Sequence, residues 1–310
     1  MEVWEPFNVS QLDVGDGHVL YFEEVGNPVG SPILYLHGGP GSGCTEGARR
    51  HFDLDRHRAI LFDQRAAGRS RPHASEADVH WASIDLEHHI ADIEALRQTL
   101  AIDRWAVFGI SWGSVLALAY AERHPAHVAA VVAAAVSTGT REDIDWLTVE
   151  AGRFFPAEWE AFRDFVPPRL RHRRLVDAYN ELVMDPDPEV HAPAAHAWCQ
   201  WEDRHVATTP GAGHNPRYDD PPFRLGFARQ VTHCWRQNSW LADDELVENA
   251  ARLARVPGWL IHGRLDVSSP LWGPWRLHKA WPGSELLVVN NEGHGGPDMQ
   301  SEWRRVLRDL

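Results

Sequence analysis

Residues 105–124 read WAVFGISWGSVLALAYAERH, and the order of events within them decides the fold. Trp105 to Phe108 form a short apolar run of strand character, and Val115 to Arg123 have the composition of a buried helix. Only GISWGS remains to turn the chain from one into the other. Gly109 and Gly113, two residues either side of Ser111, remove side chains that would collide in so tight a turn. Gly-x-Ser-x-Gly alone is a common chance match. With a strand before it and a helix after it, the pattern is an elbow that holds a serine strained and exposed, so Ser111 is the candidate nucleophile.

The chain on either side of this elbow extends the same plan. Asp13 to His18 (DVGDGH) reads as a hairpin turn leading into VLYFEEV. Pro32 to His37 and Arg58 to Phe62 are short strands, each running into a loop, HGGPGSG and DQRAAGRS respectively. Asp85 to Leu100 has a helical face made of Leu86, Ile90, Ile93, Leu96 and Leu100, and Val128 to Val136 reads as another buried strand. Strands alternating with helices predict an α/β architecture with a mostly parallel sheet flanked by helices. Joined to the elbow, that predicts the α/β-hydrolase fold. The rhythm breaks after Ser137. Up to about Leu241 the chain is rich in Trp, Arg, Pro and Asp, with helical segments such as Glu158 to Phe165 and Arg174 to Val183 between proline-rich turns. Strands resume at Pro257 to His262 and Glu285 to Val289. Residues 1–137 and 242–310 are therefore expected to form the core, and 138–241 an inserted helical cap.

A serine hydroxyl needs a base to take its proton. Among nineteen histidines, His294 is singled out because it follows the last expected strand in the loop NNEGHGG. Asp266 likewise follows the strand GWLIH, in GRLDVSSP, and the order Ser111, Asp266, His294 is the one this fold uses. Asp63 is a rival acid, but it lies in an early loop where a turn-forming role is expected. For the oxyanion, the backbone amides of Gly39, in the loop after an early strand, and of Trp112, after the nucleophile, are the candidate donors. A glycine-rich loop could instead cradle phosphate, yet no GK[ST] ending or GxGxxG spacing accompanies it.

Composition excludes other classes. With 44% hydrophobic and 24% charged residues the chain is globular, and 30 basic against 44 acidic residues leave a net charge of −14 that would repel a nucleic-acid backbone. The longest apolar run, His127 to Val136, is far short of the roughly 20 residues a membrane span needs. No nucleic-acid or membrane partner is expected. The segment MEVWEPFNVS lacks a basic stretch followed by an apolar core, and three scattered cysteines suggest no disulfide framework, so a cytoplasmic setting is expected. Glu87-His88-His89 lacks the spacing of a metal site, and neither metal nor cofactor is expected. Cys44 reads as a small buried filler, the fifteen tryptophans as packing or an aromatic pocket, and Pro210 to Pro222 as a mobile entrance flap. The oligomeric state is left open.

With these residues assembled, the chain resembles the proline iminopeptidase (prolyl aminopeptidase) family of α/β hydrolases. The likeness rests on LDVGDGHVLYFEEVGNP, HGGPGSG, DQRAAGRS, GISWGSVLALAYAERHP, GRLDVSSP and EGHGG, which extend from residue 12 to residue 296. It implies release of N-terminal residues, proline by preference, from small peptide or amide substrates with a free amino terminus, without a metal. It further implies two cap glutamates that bind that terminus. Trp198 to Glu202 (WCQWE) matches the segment bearing the first, so Glu202 is carried over as substrate-binding. The second falls in ARQVTHCW, where Val231 stands in its place, and Ala66 replaces the family's glycine in DQRAAGRS, a change expected to affect only that loop. Val231 and the Trp-rich cap motivate an alternative, an esterase, thioesterase or amide hydrolase acting on a specialised metabolite. A non-hydrolytic binding protein on the same fold is a further alternative, which a complete set of Ser111, Asp266 and His294 argues against.

Overall fold

A computed structural model describes residues 4–310; the first three residues of the segment read for a leader lie outside it. Eight strands form one sheet: β1 (Asn8–Asp13), β2 (Val19–Gly26), β3 (Ser31–Leu36), β4 (His57–Phe62), β5 (Trp105–Ile110), β6 (Val128–Ala134), β7 (Gly258–Gly263) and β8 (Ser284–Val289). Their order is β1-β2-β4-β3-β5-β6-β7-β8. The β1/β2 and β2/β4 pairs are antiparallel and the remaining five are parallel. The expected hairpin, the mostly parallel sheet and the α/β-hydrolase architecture are therefore all present.

The helices interleaved with the later strands are α1 (Leu86–Thr99) and α2 (Trp112–Arg123). Alternation along β5 and β6 feeds two apolar layers. Val107, Val131 and Ala133 join α1 and α2 on one face, whereas Ala106, Phe108, Val132 and Ala134 pack on the other. Strands buried on both faces need no polar positions, which is why WAVF and VAAVVAA carry none. α1 is capped by Asp85, whose side chain accepts from the His88 amide. α2 begins at Trp112, three residues before the expected start, and β6 ends at Ala134 because Ala135 turns to φ +47°.

Between β6 and β7 the chain makes α3 (Arg141–Thr148), α4 (Pro156–Phe165), α5 (Leu175–Val183), α6 (Pro188–Val206) and α7 (Pro221–Arg236). These helices bury a core of their own built on Phe162, Tyr179, Trp198, Trp201 and Phe227. Phe162 stacks on Tyr179 at 4.4 Å, and Trp198 meets both edge-on, so much of the tryptophan surplus is packing. The chain then returns through α8 (Glu245–Asn249), α9 (Trp272–Ala280) and α10 (Pro297–Arg308), α10 covering the sheet face opposite α2. No helix among the described residues is long and apolar enough to cross a membrane.

Candidate active site

Ser111 sits between β5 and α2 at φ +56°, ψ −123°, a conformation that L-residues rarely adopt. Its amide is tied to the Ala134 carbonyl of β6 at 2.9 Å, and its carbonyl accepts the Ser114 hydroxyl at 2.6 Å. A Cβ on Gly113 would fall 2.0 Å from the Leu36 carbonyl, so only glycine lets α2 pack this closely against β3.

The loops after β7 and β8 bring the other two groups to this elbow. His294 has Nε2 2.9 Å from Ser111 Oγ and Nδ1 2.9 Å from Asp266 Oδ2. The Ser111 hydroxyl can donate to Nε2 while Nδ1–H donates to the carboxylate. Asp266 Oδ1 accepts the Ser269 amide at 3.0 Å. Burial works against the charge on Asp266, but the imidazole, its N–H and that amide hold the carboxyl below its usual range. Burial equally disfavours a charged His294, and the Asp266 carboxylate overrides it, leaving the imidazole pKa above the ordinary 6.5. The His294 loop is fixed by Glu292, which was not singled out in the sequence: its carboxylate accepts the Asp298 and Met299 amides at 2.8 and 2.7 Å at the start of α10.

Gly39 stands at φ +113°, where a Cβ would approach the Gly41 amide to 2.6 Å. Neither the Gly39 nor the Trp112 amide has an acceptor among the described residues, and both residues line the same cavity as Ser111. The loop bearing Gly39 is braced from behind. His37 Nε2 accepts the Gln64 amide, Gln64 donates to the His37 carbonyl at 2.9 Å, and Trp112 Nε1 donates to Gln64 Oε1 at 2.9 Å. Asp63 has the turn-holding role expected of it, accepting the Cys44 and Arg69 amides and pairing with the Arg69 guanidinium at 2.8 Å. The Cys44 thiol points to the Phe62 carbonyl at 3.2 Å, as a filler would.

The cavity holds about 350 Å³ and is walled by both layers. Glu202, on α6, lies in its wall with 5% exposure, and Oε1 accepts Trp198 Nε1 at 3.1 Å. Burial lifts its carboxyl from 4.5 to about 8. Glu202 is thus brought into the cavity of Ser111 and His294, while Val231 is fully buried in the inserted helices' own apolar core. Two further residues line the cavity that no sequence signal marked, His205 and Arg217. Arg217 belongs to the 210–222 loop and donates to the Ser42 carbonyl, tying that loop to the glycine-rich one. Glu87, His88 and His89 have separate surroundings: Glu87 pairs with Arg123, His88 with Asp85, and His89 packs on Trp112.

Residues 31–297 match the model of the alpha/beta hydrolase fold family. The chain is 46% identical over 294 residues to a probable proline iminopeptidase of Streptomyces coelicolor, covering 94% of this chain and 90% of that one. It is 40% identical over 299 residues to a proline iminopeptidase of Xylella fastidiosa, covering 96% and 93%. The chain belongs to the proline iminopeptidase family. A proline iminopeptidase-related protein of Thermus thermophilus shares the fold at a TM-score of 0.63 and 20% identity, covering 97% of this chain and 96% of that one. This family member is a hydrolytic enzyme of the aminopeptidase type. At Ala66, where the resemblance implies a glycine, the backbone stands at φ +58°, a conformation in which glycine is more at ease than alanine.

Proposed function

We propose that the enzyme is a metal-free serine aminopeptidase in which Ser111 is the nucleophile, His294 the general base, Asp266 its orienting carboxylate, and Glu202 the anchor of the substrate's free amino terminus. The observation that carries the reading is one imidazole 2.9 Å from both Ser111 Oγ and Asp266 Oδ2, in a cavity that also contains a buried carboxylate. His294 Nε2 takes the Ser111 proton as Oγ attacks the scissile carbonyl. The amides of Gly39 and Trp112 donate to the oxyanion. On collapse, the imidazolium gives its proton to the leaving amine, and Ser111 carries the aminoacyl group as an ester. His294 then takes a proton from water, the hydroxide attacks the ester carbonyl, and on collapse the imidazolium returns that proton to Ser111 Oγ as the free amino acid leaves. The cavity of about 350 Å³ suits a small terminal residue such as proline. Residues 138–241 act as the cap that closes it, and Pro210 to Pro222 as its entrance flap. Three buried, unpaired thiols at Cys44, Cys199 and Cys234 support a reducing compartment such as the cytoplasm.

Val231 favours one rival, hydrolysis of esters or amides without an amine, because Glu202 lacks the second carboxylate the family resemblance implies. Turnover of proline and alanine p-nitroanilides beside p-nitrophenyl esters separates the two. Peptidase function predicts anilide cleavage that disappears in Ser111→Ala. Ester turnover with silence on every aminoacyl anilide overturns it.

A further inference from the structure

Among the described residues, Arg217 is the only arginine or lysine that lines the cavity, carried there by the short turn Pro216–Asp219 of the inserted segment. One N–H of its guanidinium is engaged, Nη2 donating to the Ser42 carbonyl. Cζ stands 3.9 Å over the Phe223 ring, which fixes the plane of the group. Nε and Nη1 have no hydrogen-bond partner among the described residues, and no carboxylate there pairs with the guanidinium. The acids nearest to it or to the cavity are engaged elsewhere. Asp63 pairs with Arg69 at 2.8 Å, Asp143 accepts the Thr138 hydroxyl at 2.6 Å and caps α3, and Glu202 accepts Trp198 Nε1. Burial works against the charge on Arg217, yet a guanidinium keeps its proton. A fixed cation, partly withdrawn from water and without a counter-ion, therefore lines the space where substrate binds.

We infer that Arg217 receives the α-carboxylate of the leaving group, so that the preferred substrates are dipeptides whose departing half is a free amino acid. The inference rests on the aminopeptidase reading above and extends it to the other side of the scissile bond. The Ser42 carbonyl that holds the guanidinium belongs to the same turn as Gly39, the Ser42 amide donating to the Gly38 carbonyl at 3.2 Å. The cation thus stands beside the loop that receives the oxyanion, whereas Glu202 is on α6. In a dipeptide the carboxylate carbon is three bonds beyond the scissile carbonyl carbon, at most about 4 Å away, and each further residue moves it out by about 3.5 Å. A dipeptide therefore brings its carboxylate close to the oxyanion loop, where a longer peptide brings a neutral amide. The planar guanidinium, with Nε and Nη1 open, gives such a carboxylate charge-assisted N–H bonds. With the ammonium at Glu202 and the carboxylate at Arg217, both ends of the zwitterion meet an opposite charge.

The test compares alanine release from alanylglycine with release from alanylglycine amide, which lacks only the carboxylate. Wild-type enzyme should prefer the free acid roughly ten- to hundredfold in kcat/KM, mostly through KM. In Arg217→Gln, which keeps an N–H donor but no charge, that preference should fall to within about twofold. Arg217→Lys should retain part of it, because the charge stays while the fork is lost. A guanidinium that only braced the loop would, once removed, slow both substrates alike and leave their ratio unchanged. That result, or a wild-type enzyme active on alanine p-nitroanilide yet indifferent to the carboxylate, would overturn the role of Arg217 alone. Silence on the anilide and on both alanylglycine substrates, with ester turnover intact, would remove the aminopeptidase reading and this inference together.

Discussion

The two ends of the cavity are built by opposite rules. At the sheet end, Ser111, His294 and Asp266 hang on loops after β5, β8 and β7, and the polar atoms of Asp266 and His294 are matched before substrate arrives. At the end made by α6, His205 Nε2 is buried without a hydrogen-bond partner 3.4 Å from Glu202 Oε2, and burial pushes that carboxyl up to about 8. Matched groups are preorganised for a charge that develops during reaction, whereas a buried carboxyl without a charged partner holds its proton. On the proposed reading, chemistry belongs to the sheet and selectivity to the inserted helices.

Mutations should respect that boundary. Ser111→Ala is expected to lower kcat/KM by about 10⁴- to 10⁶-fold, and Asp266→Asn by about 10⁴-fold, equally for aminoacyl anilides and plain esters in steady-state assays. An Asp266→Asn enzyme that discriminated between the two substrates would erase the division. Glu202→Gln should do the reverse, weakening kcat/KM on free-amine substrates by roughly 10²-fold and leaving esters nearly unchanged.

The same substitution sharpens the contrast through stability. The Glu202 carboxyl titrates near 4.5 when unfolded and at about 8 when folded, so the native state holds a proton that the unfolded state has released. Its contribution is complete below about pH 4.5 and is lost as pH rises toward 8. Glu202→Gln should therefore unfold at a higher temperature than wild type at pH 8, by on the order of 3 kcal/mol in stability, with the gap closing toward pH 5. A gap that widened at low pH would contradict a neutral buried carboxyl. At the sheet end the sign concerns rate. His294 must be unprotonated to act, and Asp266 raises its pKa above 6.5, so the acid limb of ester hydrolysis should have its midpoint above that value. The smallest effect is expected at Ala66, outside both ends. There Ala66→Gly trades relief of a left-handed backbone against lost packing on Val79 and Ile84, and denaturant melts should move by less than about 1 kcal/mol.

Much of the sheet end was legible because its signals are local. A strand, a six-residue turn and a helix specify the elbow, and loops leaving the same edge of a parallel sheet converge, so Asp266 and His294 could be chosen by their place after β7 and β8. The hairpin and the places of Asp63 and Cys44 were legible for the same reason. Glu292 was not, since its caps reach forward onto α10 amides and acidic residues abound in the chain. His205 and Arg217 were invisible among many histidines and arginines.

What the sequence determined by itself is thus the order and identity of the groups at the sheet end, because short-range geometry forces a serine outward and the topology gathers the loop residues. Tertiary structure alone decided the other end. Whether Glu202 is buried, what His205 meets, and that Val231 faces apolar neighbours all depend on contacts between distant segments. Ser268, whose hydroxyl oxygen lies 2.7 Å from His205 Nδ1, is 63 residues away along the chain. Burial and hydrogen-bond partners belong to the packed surroundings of a side chain, and no stretch of sequence contains its own surroundings.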